Sequence, residues 1–176
     1  MKATGVVRRI DELGRIVIPK EIRRTLKIRE GTPLEIYSGD NGELLLKKYS
    51  PITELSELAK DICKSIAVCT QKSVILTNME TVISFAGQQT TSLSNQKIDS
   101  TLEKLINSRQ AKIISQQENK SMLLYDYKIS TYIVCPIICA GDVFGSIIMF
   151  DTNKGVSECD LIISKSFADF FATQIG

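Results

Sequence analysis

The chain has 176 residues, of which 43% are hydrophobic and 24% charged, with only 10 Gly and 4 Pro, so it is neither a disordered nor a fibrous protein and has room for one or two globular domains. It contains no His, which excludes Ser-His-Asp and Cys-His nucleophile pairs, imidazole general bases and every histidine-containing metal site. The net charge of +2 is unevenly shared: residues 1–50 hold 11 Lys and Arg against 7 Asp and Glu, while residues 51–176 hold 11 against 13.

The basic excess gathers in Lys2, Arg8, Arg9, Arg15, Lys20, Arg23 and Arg24, opposed only by Asp11, Glu12 and Glu21. Positive charge concentrated at one end points to an anionic partner, nucleic acid first, or to a solvated basic face. No apolar run near Lys2, Arg8 and Arg9 is long enough for a signal peptide, and five Cys without clustered spacing do not make a disulfide framework, so a reducing cytoplasm is expected. The longest uncharged, apolar-rich stretch, Ile129 to Gly141, spans 13 residues, short of the ~20 that cross a bilayer, and no membrane partner is expected.

Gly5 to Ile10 predicts a strand, Asp11-Glu12-Leu13-Gly14 a turn, and Arg15 to Ile18 a second, β-branched strand, so arginines flank the turn. Pro19 suits the first position of a helix, Glu21 its positive first turn, and Ile22 and Leu26 share one face before the helix ends near Lys27. Leu34 to Ser38 and Glu43 to Lys48 predict a hairpin across Gly39-Asp40-Asn41-Gly42. A β-β-α-β-β unit this small buries too little of itself to stand alone. Leu34, Ile36, Leu44 and Leu46 line one strand face, yet Tyr37 and Leu45 point the other way, and a two-fold dimer would cover both while doubling the arginine set.

The run from Ala3 to Leu26, with its Asp-Glu-Leu-Gly-Arg turn, its Val-Ile-Pro helix start and its paired arginines, followed by Glu30-Gly31 and Pro33 to Ile36, resembles the AbrB-type swapped-hairpin DNA-binding domain. The resemblance covers residues 1 to about 50 and implies an intertwined, mostly-β dimeric barrel that binds double-stranded DNA through Arg8, Arg15, Arg23 and Arg24. Arg9 and Lys20 are secondary candidates, because each has a neighbouring acid, Glu12 or Glu21, as an alternative partner. With no Asn or Gln in the set, phosphate and groove contacts are expected over base reading.

Ser50 is placed to cap a helix beginning at Pro51, in which Ile52, Leu55, Ala59, Ile62 and Ile66 recur at helical spacing; residues 51–70 are read as an amphipathic connecting helix. Strands are predicted over Ser73 to Asn78, Val82 to Ala86, Lys112 to Gln116, Met122 to Tyr127, Tyr132 to Ile138 and Phe144 to Asp151, with Ile98, Leu102, Leu105 and Ile106 as a helix face between the second and third. Ser157-x-x-Asp160 reads as a capping box opening a helix from Glu158 to about Ile175. Its Leu161, Ile162, Ile163, Phe167, Phe170, Phe171 and Ile175 exceed one narrow face, so it should pack on the sheet or connector and also on another subunit.

This order, with the hairpin pattern Val134 to Met149 around Pro136, Gly141 and Gly145, resembles a GAF domain, and implies an α+β sensor and oligomerisation domain over residues 71–176 with an antiparallel sheet and flanking helices. Phe85, Tyr125, Tyr127 and Tyr132 are offered either as pocket lining or as core; no ligand, cofactor or metal is assigned, and a small-molecule effector stays unnamed. Cys135 and Cys139 lie ~13 Å apart on an extended strand, beyond disulfide reach, and Cys63 and Cys69 are poorly spaced for a metal. A thiol redox sensor or thiol-based reductase is the alternative to buried, inert thiols. The two domains in this order resemble sporulation transcription regulators of endospore-forming bacteria, which implies a homodimer or homotetramer, activating or repressing, in the forespore cytoplasm. An antitoxin would share the first domain but carry a short acidic tail. An enzyme would need a clustered acid/base pair or a phosphate-cradling loop, and neither is present.

Overall fold

The computed structural model describes residues 5–28, 30–87, 93 and 95–176. Lys2, Ala3 and Thr4, which belong to the basic group and to the quoted run, lie outside the described residues. The chain forms two compact units, Met1–Tyr49 and Ser50–Gly176.

In the first unit the Asp11 to Gly14 turn closes through two backbone bonds: Asp11 N–H donates to the Arg15 carbonyl at 3.1 Å and Gly14 N–H to the Asp11 carbonyl at 2.9 Å. Gly14 takes a φ of 75°, the left-handed position that follows a tight turn in a bulged hairpin loop. The strands expected on either side are not formed: residues 5–10 and 15–18 carry no ladder. A strand exists only where another strand satisfies its N–H and C=O groups, and the bonds between these two segments stop at the turn. Helix α1 spans Lys20–Thr25, with Pro19 just before its first residue and not within it as the sequence predicts. Strands β1 (Leu34–Ser38) and β2 (Leu44–Lys48) pair antiparallel across the expected turn, Ile36 facing Leu46. No described residue of this unit is buried.

The second unit begins with α2 (Pro51–Glu54) and α3 (Ser56–Thr70), separated at Leu55 where a single helix is predicted. Ser50 sits at the N-cap but makes no side-chain capping bond. Strands β3 (Ser73–Asn78), β4 (Val82–Ala86), β5 (Lys112–Ser115), β6 (Thr131–Cys139) and β7 (Asp142–Phe150) form an antiparallel sheet in the order β4-β3-β7-β6-β5. Helix α4 (Ser100–Asn107) lies between β4 and β5 in the chain, and α5 (Glu158–Ile175) closes it with the predicted capping box.

Alternation along the strands feeds two cores. Val74 and Leu76 of β3 join Ile52, Ala59, Ile66 and Phe171 under α2, α3 and α5, while Ile75 joins Leu102, Ile106, Tyr132 and Phe150 on the α4 side. The helix that the sequence treats as a connector therefore supplies buried side chains to the second unit. Met122 to Tyr127 is not the expected strand: Tyr125–Tyr127 is a single 3-10 turn. The Asp99 carboxylate, which caps α4, also accepts from Ser121 Oγ at 2.7 Å and Leu123 N–H at 3.1 Å, drawing this segment to the helix and away from the sheet edge.

Candidate nucleic-acid interface

The turn carries the most ordered of the candidate residues. Asp11 Oδ1 accepts from Leu13 N–H at 3.0 Å and Arg15 N–H at 2.8 Å, and Oδ2 accepts from Arg15 Nε at 2.8 Å. One carboxylate thus caps the turn with one oxygen and holds the arginine with the other. The backbone N–H of Arg15, then its side chain, hold the Asp11 carboxyl below its ordinary value. Asp11 entered the sequence reading as a counter-charge and as the first residue of a turn, not as a site residue; an Asp opening a four-residue turn with Arg just beyond is the signal that could have singled it out.

Arg8 and Arg9 precede the turn and are exposed, with Arg8 Nη1 donating to the Val7 carbonyl at 3.1 Å. Lys20 opens α1, and Arg23 and Arg24 occupy its last turn, where the helix dipole is negative. As neighbours in sequence, Arg23 and Arg24 diverge by about 100° around the axis, so the pair covers two directions. All six candidates are exposed, and among the described residues neither Arg9 nor Lys20 pairs with Glu12 or Glu21. The first unit therefore presents cations with solvated heads, the form in which phosphate contacts are made.

In the second unit the aromatic candidates resolve toward core. Tyr132 and Tyr127 are buried, Phe85 packs against the same cluster and Tyr125 is exposed. Tyr132 Oη donates to the Asn119 carbonyl at 2.8 Å, and the Tyr127 and Phe150 rings lie 5.0 Å apart. A shallow groove of about 400 Å³ runs between α3 and the end of β4, lined by Lys64, Ala67, Val68, Gln71, Ala86 and Gly87.

The thiols give the redox reading no support. Burial pushes the Cys63 thiol up to about 11 and the Cys135 thiol up to about 12, opposite to what a reactive thiolate needs, and Cys69, Cys139 and Cys159 are likewise free. Among the described residues no group of three or more Cys, Asp or Glu could hold a metal, and no helix is long and apolar enough to cross a membrane.

Residues 54–176 match the family described as stage V sporulation protein T C-terminal, transcription factor, and residues 7–54 the family described as antidote-toxin recognition MazE, bacterial antitoxin. The chain is 39% identical over 178 residues to stage V sporulation protein T of Bacillus subtilis, covering 99% of both. It is 61% identical over 51 residues to the transition state regulatory protein AbrB of the same organism, which is 29% of this chain and 52% of that protein. Two solved structures share the fold of the second unit. They are a free methionine-R-sulfoxide reductase from Thermoplasma acidophilum (17% identity, TM-score 0.58, 70% of this chain and 94% of that one) and the GAF domain of PixJ from Thermosynechococcus elongatus (14%, 0.57, 73% and 88%). At these identities the likeness shows the GAF fold and nothing of the chemistry.

Proposed function

The chain belongs to the stage V sporulation protein T family of transcription factors, and on that premise we propose that it binds double-stranded DNA as a homodimer or homotetramer through Arg8, Arg15, Arg23 and Arg24, with Arg9 and Lys20 adding to the field. The observation that carries this reading is the ordered Arg15 turn followed by the Arg23-Arg24 helix, inside the stretch 61% identical to AbrB. Self-association is supported by a first unit with no buried described residue and with Val7, Leu13 and Val17 each at least 70% exposed, surface that an intertwined second copy would cover. On the second unit, Ile162 and Phe170 lie two turns apart on the outer side of α5 and support a further contact between copies. The regulated genes are those of sporulation, the place is the forespore cytoplasm, and an effector acting through the GAF-like unit would have to bind two arrangements of the protein unequally.

The test is the affinity of the full chain for duplex DNA from sporulation promoters across a salt series. Four arginines from each of two copies on phosphate give a slope of log affinity against log salt of about −7, at about −0.9 per contact. Arg15→Ala removes two contacts and flattens the slope by about 2. A salt-independent affinity would overturn the reading, and an unchanged slope in the variant would remove Arg15 from the contact surface.

A further inference from the structure

Arg15 is both exposed and anchored: its side chain is 70% exposed, and its Nε is held at 2.8 Å by a carboxylate fixed to the same turn. The guanidinium has five N–H donors, and the Asp11 bond uses only the one on Nε. Both terminal nitrogens, with four N–H groups in one plane, remain for the two-pronged contact that a phosphate accepts. The carboxylate is itself tied to the turn, because its other oxygen receives the backbone N–H groups of Leu13 and Arg15. The side chain is thereby ordered from a rigid base before any ligand arrives.

We infer that Asp11 is a positioning residue for DNA binding, holding the Arg15 guanidinium in a phosphate-ready orientation through the Nε bond. The inference rests on the proposed DNA contact of Arg15. Two opposed effects decide its sign. An acid beside a phosphate backbone repels it, but for charges about 8 Å apart in water of physiological salt the penalty is less than about twofold in affinity. Ordering a free arginine on binding costs about 2- to 12-fold, and a side chain already held avoids most of that. Pre-ordering outweighs repulsion, so losing the acid weakens binding.

The experiment is a double-mutant cycle in the full chain, read as affinity for the same promoter duplex at fixed salt. Asp11→Asn keeps an oxygen for the Leu13 and Arg15 backbone donors and loses the anionic acceptor for Arg15 Nε. It is expected to weaken binding about three- to tenfold in the native background and to leave affinity unchanged or slightly tighter in the Arg15→Ala background. Arg15→Lys, which has no Nε–H fork to hold, should abolish the dependence on Asp11 in the same way. If Asp11→Asn tightens or does not alter native binding while Arg15→Ala weakens it, the positioning role is overturned and the DNA contact stands. If Asp11→Asn weakens both backgrounds equally, Asp11 acts on the turn and not through Arg15, and the inference fails. If Arg15→Ala changes nothing, the contact itself fails and the inference with it.

Discussion

The Asp99 carboxylate accepts four hydrogen bonds from two segments: Thr101 and Leu102 N–H on Oδ1 at 2.8 and 3.0 Å, Ser121 Oγ and Leu123 N–H on Oδ2 at 2.7 and 3.1 Å. Burial pushes its acidity one way, raising the carboxyl, but the bonds from Ser121 and from the amides of Leu102, Leu123 and Thr101 together hold it below its ordinary 3.8. A carboxylate depressed by folding stabilises the native state fully above its unfolded value, and that stabilisation is lost as pH falls through the lower folded value. Asp99→Asn would set an amide N–H₂ against donors that need an acceptor. The expected cost is about 1–3 kcal/mol at neutral pH, measured by urea unfolding, with the difference between variant and native chain shrinking below pH 4. A pH-independent difference would mean that shape and not charge matters there. The sequence reading gave Asp99 no role, since its predicted helix face begins at Ile98, and the second pair of Asp99 partners arrives from more than 20 residues away.

Local pattern wrote some elements plainly and others not at all. The β1–β2 hairpin, β3, β4, β6, β7 and α5 follow from turn chemistry, alternation and a capping box, and each is closed by partners close in sequence or by its own periodicity. Residues 5–18 and 122–127 have equally strand-like composition, but what a strand-like segment becomes depends on which partner it meets. For 122–127 the partner is Asp99 at the head of α4; the 5–10 and 15–18 segments share only a turn. Gly145 shows the reverse limit, a residue whose type was noticed and whose reason was hidden. It pairs with Asn78 of β3 and Ile137 of β6, and a Cβ there would overlap the Thr77 carbonyl oxygen and meet Ile52 Cδ1 at 3.0 Å. The central strands can close over α2 only where no side chain intervenes. Gly145→Ala is therefore expected to cost at least about 1–3 kcal/mol and to lower the melting temperature of the second unit, since backbone cannot yield as a flexible side chain would. An unchanged melting temperature would show that β3 and β7 separate there at little cost.

The two units differ in how they can be stable. Ser50–Gly176 holds two cores, whereas no described residue of Met1–Tyr49 is buried within one copy. A segment whose described residues are at most half-buried offsets little of its conformational entropy, so in the proposed dimer the first unit draws its stability from association. That makes its unfolding a mass-action event, in which dilution favours the unfolded chain. Calorimetry of the full chain should accordingly show two transitions, with the one assigned to the first unit moving with protein concentration. Tenfold dilution removes about 1.4 kcal/mol from a two-copy unit, and a folded body of about 100 residues converts that into a shift of about 6 °C. Arg15→Ala, on the exposed turn, should leave both midpoints in place while reducing DNA affinity, which separates the binding role of the turn from the assembly of the unit that carries it. A first transition that does not move on dilution would mean that one copy of residues 1–49 folds by itself, and the proposed intertwined dimer would lose its physical necessity.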